Sequence, residues 1–162
     1  MKLDDLKLIE WSFKNACLSS RFDVLKKYLN EQKNAERYVI TAKTEKQNII
    51  GYTTLAYNSK YKGFREANIP EITDLNVIPT YRNKGIAHKM ISKLEEIAKE
   101  KKYSQIGIGA GLYSDYGSAQ RLYVKIGYIP NGKGLLYDNK KIKKGQSIIV
   151  DDSLAIYFTK TI

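Results

Sequence analysis

The 162-residue chain has one cysteine, one histidine, one tryptophan and three prolines. A single thiol forms no internal disulfide framework, which suits a reducing compartment. No apolar run approaches the roughly 20 residues needed to span a bilayer. The opening residues, MKLDDLKLIEWSF, carry acids where a secretion signal has bases, and they lack its apolar core. A cytoplasmic protein with no membrane attachment is expected, and no metal is expected in it.

What the chain has in quantity is lysine and tyrosine. Hydrophobic residues make up 43% and charged residues 28%, which fits one globular domain spanning residues 1–162. A chain of this length buries about two-thirds of its unfolded surface. The net charge of +11 raises the question of nucleic acid, but the lysines are scattered along the chain, which argues against it. A basic surface attracts polyanionic ligands and disfavours polycationic ones.

Residues 4–18 have a helical stripe of Leu6, Ile9, Phe13 and Cys17, which makes Cys17 a packed core thiol. A second helix is predicted from Phe22 to Gln32, with Phe22, Leu25, Tyr28 and Leu29 inward. Arg37–Ala42 and Ile49–Tyr57 read as an antiparallel hairpin, in which Gly51 marks a bulge or a close backbone approach. Residues 58–70 read as a long loop with the composition of a substrate-pocket wall.

The stretch Ile72–Ile97 organises the rest. A β-branched strand from Glu71 to Ile78 stops at Pro79, a polar turn follows, and a helix starts near Gly85. Its predicted buried stripe is Ile86, Met90, Leu94 and Ile97, which leaves His88 on the polar face. The first turn of a helix has N–H groups without internal acceptors, and its dipole adds positive charge. Arg82 and Lys84 add whole charges, and Gly85 lets a ligand approach the backbone. Such a turn is suited to a phosphate or pyrophosphate.

Further on, Gly107, Gly109 and Gly111 alternate along the strand Ser104–Tyr113, so all three share one face. That face serves either close packing of a helix or room for an acceptor group. A short helix, Ser118–Ile126, ends at Gly127, a natural left-handed cap. Strands at 128–130, 135–137 and 154–159 complete the pattern, with a turn at 131–134 and a basic loop at 139–145.

Two segments carry a family resemblance. Arg82-Asn83-Lys84-Gly85-Ile86-Ala87 matches R/Q-x-x-G-x-G/A, preceded by Leu75-Asn76-Val77-Ile78-Pro79. Ala119, Tyr123, Gly127 and Tyr128 match a later A-x-x-x-Y-x-x-x-G-F/Y pattern. Together they resemble the GNAT family of N-acetyltransferases from about Arg37 to Thr159. The resemblance implies an α/β fold whose mixed, mostly antiparallel sheet is flanked by helices, with a first strand missing or short.

It also implies acetyl-CoA as cosubstrate, held by Arg82 to Ala87 and by Ala119. The Val77 amide would polarise the thioester, and Tyr123 would act as general acid to the leaving thiolate. The family's pantetheine-binding asparagine falls at Tyr116 here, so Tyr116 or Asp115 stands in its place. Glu71 or Asp74 is left as general base, with Glu71 preferred. The two lie three residues apart, so strand alternation sends them to opposite faces. The expected acceptor is a small primary amine such as an amino acid, an amine metabolite or an antibiotic. A protein N-terminus or lysine, or a non-catalytic acyl-CoA sensor, are the alternatives. Homodimers are common in the family.

Overall fold

The computed structural model describes all of residues 1–162. In chain order the elements begin α1 (Leu3–Asn15), α2 (Phe22–Lys33), β1 (Arg37–Lys43), β2 (Ile49–Ala56), α3 (Lys62–Glu66) and β3 (Glu71–Val77). They continue α4 (Ile86–Glu100), β4 (Gln105–Gly111), α5 (Gly117–Lys125), β5 (Ile129–Tyr137), β6 (Lys140–Lys141) and β7 (Leu154–Thr161). The fold is a mixed sheet of seven strands flanked by helices. No strand precedes α1, in line with the missing first strand. The chain divides into two units, residues 1–57 with 72–97 and residues 58–71 with 98–162.

In the first unit the strand order is β1-β2-β3. β1 and β2 form the expected antiparallel hairpin, and β2 is buried throughout. Leu6, Ile9 and Phe13 from α1 join Leu25, Ile49, Tyr52 and Ile78 in one apolar cluster. Gly51 is required by close approach, because a Cβ there would stand 2.6 Å from the Asn76 carbonyl oxygen. On α4 the buried set is Met90, Ile91, Leu94, Ile97 and Ala98, while Ile86 is half-buried and His88 is exposed. Burying each large aliphatic side chain here contributes about 1.5–3 kcal/mol.

Two expectations about this unit are corrected. Cys17 is exposed, not packed. Helix α1 stops earlier than its periodicity suggests, in a turn where Leu18 N–H donates to Phe13 C=O (2.9 Å) and Cys17 N–H to Lys14 C=O (3.1 Å). That bond pair is a Schellman cap, with Cys17 in the left-handed position at φ 55° that glycine usually fills. Leu18 folds back onto the core instead. Phe22 sits at the exposed first position of α2, so Leu25 and Leu29 carry that helix's burial.

In the second unit the order is β4-β7-β5-β6, with each neighbouring pair antiparallel. The expected loop at 58–70 contains α3, and its Tyr61, Phe64 and Ile69 are core residues packed with Leu136 and Tyr157. The segment is packed structure, not an irregular loop. The separate strands expected at 128–130 and 135–137 are one strand, β5. Its register with β7 jumps between Pro130 and Leu135, where Gly132 and Gly134 take φ near +70° and the chain bulges out. The basic loop begins with a tight turn, Asp138-Asn139, both at positive φ, which joins β5 to β6.

Candidate active site

The polar turn after β3 starts as a 3₁₀ turn at Pro79–Tyr81. Asn83 (φ 58°) and Gly85 (φ 75°) then take left-handed backbone conformations. No atom lies within 4 Å of where a Gly85 Cβ would stand, so glycine is needed for the backbone angle and the space beside it is open. The Gly85 carbonyl accepts the Lys89 N–H at 3.0 Å, which makes Gly85 the helix cap. Gly85 has no side chain to cap the helix and the first turn has no acid, so the N–H groups of Ile86, Ala87 and His88 lack intrahelical acceptors. Lys84 lies with its ammonium 5.2 Å from the Tyr81 ring centre. Arg82, Asn83 and Lys84 are exposed. All the residues that the sequence assigns to an anion come together here.

Arg82 also steadies the strand end, since its Nε donates to the Val77 carbonyl at 3.0 Å. Ile78 N–H donates to Ile50 C=O at 2.9 Å, towards β2. Successive N–H groups of a strand point to opposite edges, so the Val77 N–H points away from β2.

Strand alternation fails within β3. Asp74 has φ 51°, a left-handed angle in mid-strand, which interrupts the regular assignment of faces beyond Thr73. Its carboxylate is fully engaged: Oδ1 accepts Arg21 Nη2 at 2.8 Å and Oδ2 accepts the Tyr28 hydroxyl at 2.5 Å. Both Asp74 oxygens are committed to these partners, and on that geometry the preference for Glu71 stands.

Glu71 belongs to the second unit and is buried at 8% exposure. Ser59, itself buried, donates its hydroxyl to Glu71 Oε2 at 2.6 Å and accepts the Tyr61 N–H at 2.9 Å. Tyr157 stacks on Tyr61 with ring centres 4.2 Å apart. Burial first, then the negative charge of Glu71, raises the Tyr157 phenol above its ordinary value. Sequence reasoning missed Ser59. A lone serine in a polar stretch carries no periodic signal.

The glycine face of β4 is not bare. A Cβ on Gly107 would stand 2.2 Å from the Phe64 ring, one on Gly109 3.0 Å from Tyr157, and one on Gly111 2.5 Å from Tyr116. The glycines make room for aromatic rings. At Gly107 that ring comes from helix α3, so this glycine serves close packing of a helix. Phe64 cannot yield easily, because Tyr61 (4.9 Å) and Tyr157 (5.3 Å) hold its ring. Gly107→Ala should therefore cost about 1–3 kcal/mol in chemical denaturation. Gly117→Ala, with no atom within 4 Å of its Cβ position and helical backbone angles, should be neutral or stabilising by up to about 1 kcal/mol. Equal effects of the two would remove the packing argument.

Helix α5 carries the second motif, and its spacing has a physical cause. Tyr128 N–H donates to Tyr123 C=O (2.9 Å) and Gly127 N–H to Val124 C=O (3.1 Å), with Gly127 at φ 92°. This is a second Schellman cap, which brings the Tyr123 and Tyr128 rings to 6.3 Å. Gln120 Nε2 donates to Gly111 C=O at 2.6 Å, tying α5 to the end of β4. Ala119 is half-buried and Tyr123 is 4% exposed. Tyr116 and Asp115 stand at the asparagine position. The Tyr116 ring covers Gly111 and its hydroxyl donates to Asp152 Oδ1 at 3.0 Å, while Asp115 accepts Ser114 Oγ at 3.3 Å.

Burial alone raises the Tyr123 phenol above its ordinary value. The sign of the consequence is definite. Below about pH 10, the ordinary tyrosine value, both folded and unfolded chains hold this proton. As pH rises past that value the unfolded chain releases the proton and the folded one keeps it, so stability falls. Thermal melts above about pH 9 should show the decline, and Tyr123→Phe should make it shallower. An unchanged slope would contradict the burial effect.

The acetyltransferase (GNAT) family profile matches residues 3–128, which is most of the chain. The chain belongs to the GNAT acetyltransferase family. No protein of curated function matches it by sequence. Among solved structures, this GNAT chain is similar to a ribosomal-protein-alanine N-acetyltransferase from Brucella melitensis, with TM-score 0.70 and 19% identity over 100% of this chain and 97% of that one. It is also similar to a spermidine N-acetyltransferase chimera from Vibrio cholerae, with TM-score 0.68 and 15% identity over 99% and 92%. A third is a GNAT acetyltransferase from Elizabethkingia anophelis with acetyl-CoA bound, with TM-score 0.58 and 22% identity over 83% and 82%. At these identities the likeness is one of fold. This GNAT chain contains no helix long and apolar enough to cross a membrane.

Proposed function

We propose that this enzyme moves the acetyl group of acetyl-CoA directly onto the primary amine of a small molecule. The observation that carries the reading is the uncapped N-terminus of α4, set behind Arg82 and Lys84 with open space at Gly85. It supports binding of the CoA pyrophosphate by Arg82 to Ala87, with Ala119 against the pantetheine arm. The amine nitrogen attacks the thioester carbon, the C–N bond forms, and the C–S bond breaks. Val77 N–H polarises the carbonyl as an oxyanion-hole donor does. Glu71 accepts the proton from the amine, directly or through water, and the Tyr123 hydroxyl stabilises the departing thiolate.

The Glu71 surroundings support the choice of acceptor class. A buried carboxylate beside the Tyr61 and Tyr157 rings suits a single ammonium group, which aromatic faces attract. Some GNAT proteins of similar fold are named for spermidine or for a ribosomal-protein alanine, so amines of several sizes are chemically reasonable. The net charge of +11 works against a polycationic acceptor.

The test identifies the acetylated product by mass spectrometry after incubation with a panel of small amines and peptides. Acetylation of a monoamine or amino acid is expected. Transfer only to peptide N-termini or lysines would replace the acceptor class, and no transfer to any amine would favour an acyl-CoA sensor. A second prediction concerns the donor. Arg82→Ala removes a charge-assisted contact of about 1.5–3 kcal/mol, so KM for acetyl-CoA should rise roughly 10- to 100-fold. The affinity for acetyl-CoA should also weaken with added salt, and less steeply in the variant.

A further inference from the structure

The left-handed residue in β3 is held by a clamp from outside the strand. Asp74 is not glycine, so φ 51° in mid-strand is a cost that its surroundings must offset. Arg21, in the connection between α1 and α2, donates Nη2 to Asp74 Oδ1 at 2.8 Å and Nε to the Tyr52 hydroxyl at 3.2 Å. Tyr28, on α2, donates its hydroxyl to Asp74 Oδ2 at 2.5 Å, and the Arg37 guanidinium lies 4.1 Å over its ring. Arg37 in turn donates Nη1 to Thr73 Oγ1 at 2.8 Å and Nε to Glu31 Oε2 at 2.5 Å. On the main chain, Asn76 Nδ2 donates to the Asp74 carbonyl at 3.1 Å.

The segment just beyond is fixed as well. The Gly51 backbone leaves no room for a side chain against the Asn76 carbonyl and the Val77 Cα, Ile78 N–H is paired with Ile50, and Arg82 holds the Val77 carbonyl. The chain direction at Val77 therefore depends on the turn made at Asp74, three residues before it. Arg21 and Tyr28 hold Asp74 by its carboxylate, a group to which the proposed mechanism assigns neither the nucleotide nor the proton.

We propose that Asp74 is a positioning residue: its clamp by Arg21 and Tyr28 fixes the left-handed turn that aims the Val77 N–H at the thioester carbonyl. This rests on the reading of Val77 as the polarising amide. It also gives the α1–α2 connection, through Arg21, a part in positioning that amide.

The test is the infrared carbonyl band of bound acetyl-CoA, labelled with ¹³C at the acetyl carbonyl. It needs no acceptor and no turnover. In the wild-type protein the band is expected below its position in solution, because a hydrogen-bonded carbonyl is polarised. Asp74→Asn keeps the size and tolerates the backbone angle but loses the charge for Arg21. In that variant the band should return towards the free position and kcat should fall roughly 10- to 100-fold, with CoA affinity changed less than about threefold. Tyr28→Phe, a milder change, should give an intermediate band and an intermediate kcat. A merely structural clamp would lower the melting temperature and leave the band of the folded variants where it was. That result overturns the proposal while the polarising amide stands. An unshifted band in the wild-type protein would overturn the amide reading itself, and the clamp with it.

Discussion

Glu71→Gln should lower kcat/KM by a factor of about 10²–10⁴, the range expected for losing a positioned base. Glutamine keeps the shape and still accepts the Ser59 hydroxyl, so the buried pair survives as a neutral hydrogen bond. What disappears is the proton acceptor for an amine that is mostly ammonium at neutral pH. The deficit should therefore be largest at low pH and shrink as the free amine accumulates. Asp74 offers no substitute, since Arg21 and Tyr28 take up its carboxylate. Steady-state rates across the pH range, with KM for acetyl-CoA measured alongside, check the result. A wild-type profile in the variant would remove Glu71 from the mechanism and leave water as the acceptor.

Tyr123→Phe should lower kcat about a hundredfold and leave KM for acetyl-CoA within about threefold. The magnitude sits at the low end of the range for a physical reason. Burial holds the Tyr123 phenol above its ordinary value, while an unperturbed thiol titrates near 8.5. A donor less acidic than the thiol does not surrender its proton completely at equilibrium. In the proposed mechanism Tyr123 would therefore act chiefly by hydrogen-bonding the thiolate as the C–S bond breaks. Its effect should therefore grow with the basicity of the leaving thiolate. It should add no falling limb to the pH–rate profile below about pH 10. Wild-type turnover in the phenylalanine variant would assign Tyr123 to the α5 cap and the core alone.

The turn proposed to hold the donor is legible in the sequence because its structure is local. A β-branched strand, Pro79, two cations and Gly85 specify a strand, a turn and an uncapped helix within a few residues of one another. The Tyr123 motif is legible for the same reason, since Gly127 and Tyr128 encode a Schellman cap at fixed spacing. The same cap at Cys17 went unread because cysteine gives no sign of a left-handed angle. Alternation placed Gly107, Gly109 and Gly111 on one face correctly. It could not name the rings that fill that face, because Phe64 and Tyr157 come from distant parts of the chain. Helix α3 has five residues, too few for a period of 3.6 to register. The Asp74 turn was also hidden. An aspartate inside a β-branched run is the one local hint, and its partners Arg21 and Tyr28 are supplied by tertiary structure.

The central claim is that the chain transfers acetyl from CoA to an amine. It is tested most directly by following free CoA thiol with purified protein, acetyl-CoA and a small primary amine. The account predicts thiol release that depends on the amine, saturates in both substrates and yields the N-acetylated amine in equal amount. Tight binding of acetyl-CoA with no amine-dependent thiol release, across monoamines, amino acids and peptides, would contradict it.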